Sequence, residues 1–259
     1  MIALKTGHEL AVVGENARLL AEILVKVALR VGPGVTTGEL DQSAERLIRA
    51  AGAEPAFKGY RGFPATLCVS VNEEIVHGIP SPRRVLQQGD VVSLDLGLRR
   101  QGYYADAAVT VAVGQVTEQA RKMMASAHGA LKAAIDLARI GTRLSDVSHA
   151  IAGYVRRGGF YVVREFVGHG IGRELHEDPQ IPNFGPPGQG PRLREGMVLC
   201  PEPMVKADDL PVRIRDDGWT AVTATGGVAA HYEEMVAVTA DGPRVLTGGI
   251  WEEYWRRKT

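Results

Sequence analysis

The order of apolar periodicities along the chain predicts an α+β fold built from two similar halves. Apolar residues first recur at helical spacing, then run and alternate as in strands, and the same order of two helices followed by strands then repeats. No shift in composition separates the halves, and the Pro/Gly-rich loop from Pro182 to Pro191 is too short for a domain linker. Residues 1–259 are therefore read as a single domain with one shared sheet and core. The length of 259 residues, with 45% hydrophobic and 23% charged side chains, is globular and sufficient for a sizeable core.

In the first half, Leu20, Ile23, Leu24 and Val27 set a stripe on a helix over Glu9 to Arg30, which Gly32-Pro33-Gly34 ends. Thr36 or Thr37 caps a second helix running to Ala51, with Gly52 as its stop. Strands follow at Thr66 to Val71, Val91 to Leu96 and Tyr103 to Val113, and the short link Arg99-Arg100-Gln101-Gly102 makes the last two a hairpin. In the second half, Thr117 to Ala138 and Leu144 to Arg157 return to helical spacing, and Gly158-Gly159 stops the second. The remaining strands are read at Tyr161 to Val167, Met197 to Cys200, Trp219 to Thr225 and Glu234 to Thr239.

Thirty Lys and Arg balance thirty Asp and Glu, so no global field favours nucleic acid or an anionic membrane. The pairs Arg99-Arg100 and Arg156-Arg157 are read as solvated surface in preference to a local basic patch, and Arg164 and Lys206 as surface charge in preference to substrate anchors. Two cysteines, Cys68 and Cys200, are too few for a disulfide scaffold or a Cys-rich zinc site. Both lie in apolar strand contexts and read as small buried residues, since a nucleophile would need an adjacent base. The segment from Met1 to Val13 lacks the apolar core of a signal peptide, and no run of about 18 apolar residues exists. A cytoplasmic location is expected.

Acidic residues inside apolar strands are the strongest chemical signal. Asp95 sits in Val91-Val92-Ser93-Leu94-Asp95-Leu96, Asp106 in Tyr103-Tyr104-Ala105-Asp106-Ala107-Ala108, Glu202 after Val198-Leu199-Cys200-Pro201, and Glu233 before Glu234-Met235-Val236. A buried carboxylate is costly unless paired or metal-bound. One such residue is ordinarily a satisfied structural acid; four in one chain strain that explanation. His169 lies in Gly168-His169-Gly170-Ile171-Gly172, where small neighbours leave room for a ligand, and His176 follows. A lone histidine is more often structural, but beside four such acids a metal site is the better explanation. Oxygen ligands with an imidazole suit Mn, Fe, Co or Zn, and bridging acids would set two cations roughly 3.5–4 Å apart.

Taken in order, His77 in Val71-Asn72-Glu73-Glu74-Ile75-Val76-His77-Gly78-Ile79-Pro80, Asp95, Asp106, Gly168-His169-Gly170-Ile171-Gly172, His176, Pro201-Glu202-Pro203 and Tyr232-Glu233 resemble the signature of the type I methionine aminopeptidases. The similarity runs from Lys5 to Leu246; the ordered set is specific, although no single piece is. The resemblance implies the pita-bread (creatinase/aminopeptidase) fold of the M24 metallopeptidases, with two pseudo-symmetric αβ halves around a curved antiparallel sheet. It implies a dinuclear hydrolase that removes the N-terminal initiator methionine from nascent proteins, through attack of a metal-bridging hydroxide on the first peptide bond. Two divalent ions, from among Co, Mn, Fe, Zn and Ni, would be the cofactors. By the same resemblance Asp95 would chelate one ion, Asp106 and Glu233 would bridge the two, and His169 and Glu202 would complete the other. Glu202 would accept the proton of the attacking water. His77 and His176 would contact substrate and the reacting centre, with Tyr60, Phe63, Cys68 and Trp219 walling the methionine pocket beside His77.

Four positions depart from the family's usual pattern: Phe57, Leu175, Glu174 and His231. The first two are apolar exchanges, so a preference for methionine is expected to survive, and Glu174 is expected to add negative charge near the metals. As partners the resemblance implies nascent chains and ribosome association for a monomer, with no membrane and no sequence-specific nucleic acid. The competing expectations are an Xaa-Pro aminopeptidase or prolidase, which carries a large domain before the catalytic one, a non-catalytic binding protein on the same scaffold, and a mononuclear iron oxygenase. The last leaves three acids unexplained. The short stretch from His176 to Glu202 leaves no room for the inserted subdomain of the type II enzymes.

Overall fold

The computed structural model describes residues 2–258. Helix α1 spans Gly7–Ala28 and α2 spans Thr37–Ala50. Both open with the same device: the threonine before the helix, Thr6 or Thr36, accepts the backbone N–H of Glu9 or Glu39, and that glutamate returns to the threonine N–H. Such a capping box satisfies two of the otherwise orphaned N-terminal donors. The box starts α1 two residues earlier than the apolar stripe alone indicates. The buried face of α1, including Val13, Ala17, Leu20, Leu24 and Val27, lies on the long hairpin Val91–Arg100/Tyr103–Ala112. Buried Asn16 donates to the carbonyls of Arg100 and Tyr103 at 2.7 and 3.1 Å and so pins the hairpin turn.

The first hairpin strand is longer at the turn than expected, because Arg99 and Arg100 pair with Tyr104 and Tyr103 and only Gln101-Gly102 remain as the turn. Leu67–Val71 and Glu54–Pro55 pair along the other edge of Val91–Arg100. In the second half, α3 (Glu118–Asp136) and α4 (Leu144–Arg157) pack on one another. They are followed by a five-stranded sheet in the order Gly242–Val245, Val236–Thr239, Val198–Cys200, Val167–Gly170, Glu177–Pro182. Two three-stranded sheets complete the layer, one of Ala229–His231, Met204–Lys206 and Tyr161–Val162, the other of Arg213–Ile214, Ala221–Val222 and Glu74–Val76. All pairings are antiparallel. The halves meet where Ala108 and Glu233 exchange backbone hydrogen bonds of 3.2 and 2.9 Å. One buried apolar cluster includes residues from Val13 in α1 to Tyr254 in the last helix, α5 (Ile250–Lys258).

Several expectations are corrected. The run read as one strand from Tyr161 to Val167 is two, Tyr161–Val162 and Val167–Gly170, in different sheets. Between them the Glu165 carboxylate takes the N–H groups of Arg164 and Val212, turning the chain from one sheet to the next. The strand read from Trp219 to Thr225 shrinks to Ala221–Val222, because Asp217 holds the N–H groups of Trp219 and Thr220 in a turn. Lys206 is not a surface charge: it is 2% exposed, and its ammonium donates to the carbonyls of Asp208 and Leu210 at 2.6 and 2.5 Å. Arg164 is exposed and lies over the Phe184 ring. Both cysteines are free and buried.

Candidate metal centre

Period-two geometry explains how the acids converge. In the hairpin Asp95 faces Ala108 and Asp106 faces Gly97, so the carboxylates are diagonal neighbours on one face with small residues opposite each. His169 lies on Val167–Gly170 opposite Cys200, and Glu202 leaves the end of the same neighbouring strand between Pro201 and Pro203. Glu233 is held beside Ala108 by the bridge joining the halves. Each half thus contributes donors, and the seam between them sets their spacing.

The glycines around His169 serve close strand packing rather than access. A Cβ on Gly168 would stand 2.5 Å from the Cys200 carbonyl oxygen, and one on Gly170 would stand 2.3 Å from that of Asp178.

His169 Nε2 lies 3.8 Å from Asp106 Oδ2, 3.9 Å from Glu202 Oε1 and 3.7 Å from Glu233 Oε1. These are not ion pairs, because burial first, and His176 second, push the His169 imidazole down to about 3. Its Nδ1 is 3.0 Å from the Gly170 carbonyl, which only accepts, so Nδ1 carries the proton and Nε2 presents its lone pair to the acids. That tautomer is the one a metal-binding imidazole needs. Asp106 and Glu233 are buried; Asp95 and Glu202 are partly so. Burial pushes the Asp95 carboxyl up to about 6, against the pull of His231. Burial, then the neighbouring carboxylates, hold Asp106, Glu202 and Glu233 well above the usual range.

A site for divalent cations fits these residues. Asp95 Oδ1, Asp106 Oδ1 and Glu233 Oε1 are buried with no hydrogen-bond partner. Asp95, Asp106 and Glu233 bring ligand atoms within 4.8 Å of one another, as do Asp106, His169 and His176, and also His169, Cys200 and Glu233. Four carboxylates this close cannot all ionise without compensating positive charge. The nearby separations of 3.7–3.9 Å accommodate an ion roughly 2.0–2.2 Å from each donor.

The donors line a cavity of about 520 Å³. Tyr60, Phe63, Cys68, His77, His176 and Trp219, all singled out from the sequence, line it too, as do Phe57 and Leu175. Phe63 meets Trp219 edge-on at 5.2 Å, and the Tyr60 hydroxyl is 2.8 Å from His176 Nδ1. Burial, then His231 and His176, push His77 down to about 4.

Glu174 is exposed on a bend and, unlike the adjacent Leu175 and His176, is not among the residues lining the cavity. Phe166 and Asn183 also border the site without a clear signal in the sequence. Phe166 packs edge-on against His77 at 5.2 Å, and its signal was only an aromatic residue shortly before Gly168. Asn183 donates to the Glu202 carbonyl at 3.2 Å from the bend just after strand Glu177–Pro182, whose prolines hide that strand in the sequence.

The model of metallopeptidase family M24 matches residues 13–240. Methionine aminopeptidase 1 of Bacillus subtilis is 48% identical over 247 residues, covering 95% of this chain and 99% of the relative. Methionine aminopeptidase 1 of Mycobacterium tuberculosis is 42% identical, covering 95% and 94%. The crystal structure of the Thermotoga maritima methionine aminopeptidase superposes with a TM-score of 0.94 at 44% identity, covering 96% of this chain and all of that one. A prolidase from Pyrococcus furiosus, at 24% identity and a TM-score of 0.76, shares the fold. With its mixed α/β architecture and antiparallel sheets, the chain has the pita-bread fold and belongs to metallopeptidase family M24, within the type I methionine aminopeptidases.

Proposed function

We infer that this chain is a metal-dependent aminopeptidase that removes the initiator methionine from new proteins. The observation that carries this reading is one cavity uniting the five donors with an apolar wall of Phe57, Phe63, Cys68 and Trp219. Asp95, Asp106, His169, Glu202 and Glu233 would hold two divalent cations, with Co, Mn, Fe, Zn and Ni as candidates. Ligand type alone does not choose among these ions; geometry and supply do. When bound, the cations supply Lewis acidity towards water and the scissile carbonyl.

The chain's own groups supply the rest. Glu202 turns one oxygen towards His169 and the acids and is the proton acceptor for the attacking water. The Tyr60 hydroxyl lies 2.8 Å from His176 Nδ1; donating there, it would leave the proton of the neutral ring on Nε2 to donate to the developing oxyanion. His77, a neutral imidazole at pH 7, contacts the leaving-side nitrogen. Tyr60, Phe63, Cys68 and Trp219 present an aromatic and sulfur-containing wall suited to a flexible thioether.

Residues 1–259 act as one catalytic unit, a reading supported by buried apolar clusters that each draw residues from both halves. Peptides with an N-terminal methionine are the substrates. A monomer in the cytoplasm, associating with ribosomes, rests on the family resemblance; no helix among the described residues is long and apolar enough to cross a membrane.

The test is a peptidase assay on a Met-Ala-Ser peptide with the protein stripped of metal and then supplied with Mn, Co or Fe. Methionine should be released only after metal addition, with no cleavage of an Ala-Pro peptide. A folded protein silent under every metal would point to a non-catalytic scaffold.

A further inference from the structure

His231 is 1% exposed, yet neither ring nitrogen has a hydrogen-bond partner. Its Nε2 lies 3.3 Å from Glu202 Oε2, close enough for a hydrogen bond after a small rotation of either side chain. Glu202 Oε1 points the other way, 3.9 Å from His169 Nε2. The two oxygens of one carboxylate are thus divided between the donor cluster and His231.

The backbones carrying both side chains are fixed. The Thr110 hydroxyl accepts the N–H of His231 at 2.8 Å and donates to its carbonyl at 2.7 Å, and His231 pairs in register with Met204. Glu202 lies between Pro201 and Pro203, whose rings restrict the chain, and its carbonyl accepts from buried Asn183. The side-chain meeting therefore follows from the frame around it. A buried imidazole with no partner is unfavourable, and the facing carboxylate oxygen is the acceptor within reach.

We propose that His231 is a positioning residue whose Nε2–H holds Glu202 Oε2 and thereby presents Oε1 to the metal-binding cluster. The inference rests on the role given to Glu202 above. It assigns the ring the neutral Nε2–H tautomer, so that His231 acts by holding Glu202. Partners that orient a metal-binding side chain in this way are typically worth about 10–100-fold in metal affinity or activity.

The experiment compares the wild type with His231→Leu and His231→Gln, reading Mn affinity by calorimetry and kcat and KM on a Met-Ala-Ser peptide. His231→Leu should lose about 10–100-fold in Mn affinity or kcat, with KM changing far less. His231→Gln, which keeps an N–H donor, should recover most of that loss. Wild-type affinity and turnover in folded His231→Leu would overturn the proposal, as would equal losses in both variants. Should His231→Leu fail to fold, imidazole 1H–15N correlations of the Zn-loaded wild type decide: Nε2–H with bare Nδ1 supports the assignment, and Nδ1–H overturns it. A wild type that releases methionine with metal but fails these tests refutes this inference alone. A wild type inert under every metal refutes the aminopeptidase reading and this inference with it.

Discussion

Glu9 fastens three pieces of chain with one carboxylate. It closes the capping box of α1 and accepts from the Tyr103 hydroxyl at 2.7 Å and from Arg173 at 3.1 Å. The Tyr103 hydroxyl first, then the N–H and hydroxyl of Thr6, pull its pKa from 4.5 down to about 2. The unfolded chain therefore binds the proton more readily than the folded one. The stabilisation is complete above the unfolded value of 4.5 and is lost as pH falls through about 2. Glu9→Gln should be less stable than the wild type at pH 7 by about 1 kcal/mol, the order by which hydrogen bonds to a charged group exceed neutral ones. That gap should narrow between pH 4.5 and 2 in urea titrations; a gap independent of pH would show that the charge of Glu9 is not what stabilises the fold.

At the scale of elements, strands that pack too closely for side chains make the donor cluster possible. Val167–Gly170 runs between Val198–Cys200 and Glu177–Pro182, and Gly170 meets the Asp178 carbonyl where any Cβ would collide. A backbone oxygen cannot swing aside as a side chain can, so the strands must part. Gly170→Ala should cost about 1–3 kcal/mol, the usual range for overpacking, visible as a lowered Tm of the metal-free protein. It should also weaken metal binding by displacing the adjacent His169. An unchanged Tm would mean that the strands separate freely. The N-terminal limits of α1 and α2 follow from similarly local chemistry, the Thr-x-x-Glu boxes at Thr6 and Thr36.

For the whole molecule, the acids proposed to hold metal lie at the seam and would link folding to metal. Asp106 and Glu233 come from different halves, and Asp95, Glu202 and His169 complete a cluster whose carboxylates repel one another. A ligand that binds only the folded state stabilises it by about 2.7 kcal/mol at one hundred times its Kd. Stripping divalent metal should therefore lower Tm, and Mn or Co at that excess should restore it by a shift of this order. A Tm indifferent to metal would detach the cluster from cation binding.

The helices and the hairpin were legible in the chain because their signals are local: a 3.6-residue apolar stripe, a threonine cap, or a two-residue turn between alternating runs. The donor residues were legible because acids in apolar runs conflict with burial, and their order along the chain matches a family signature. The short strands around Trp219 and Val163 were not, because side chains such as Asp217 and Glu165 decide where pairing stops. Lys206 looked like surface charge because the carbonyls of Asp208 and Leu210 that receive it are brought together only by folding. Sequence by itself determined the first four helices, the long hairpin, the repeat of two similar halves and the residue types fit to hold metal. Tertiary structure alone decided which oxygen of Glu202 faces His169 and which faces His231, and why Gly168 and Gly170 must be small. Those facts depend on distances between segments far apart in the chain, which no local pattern encodes.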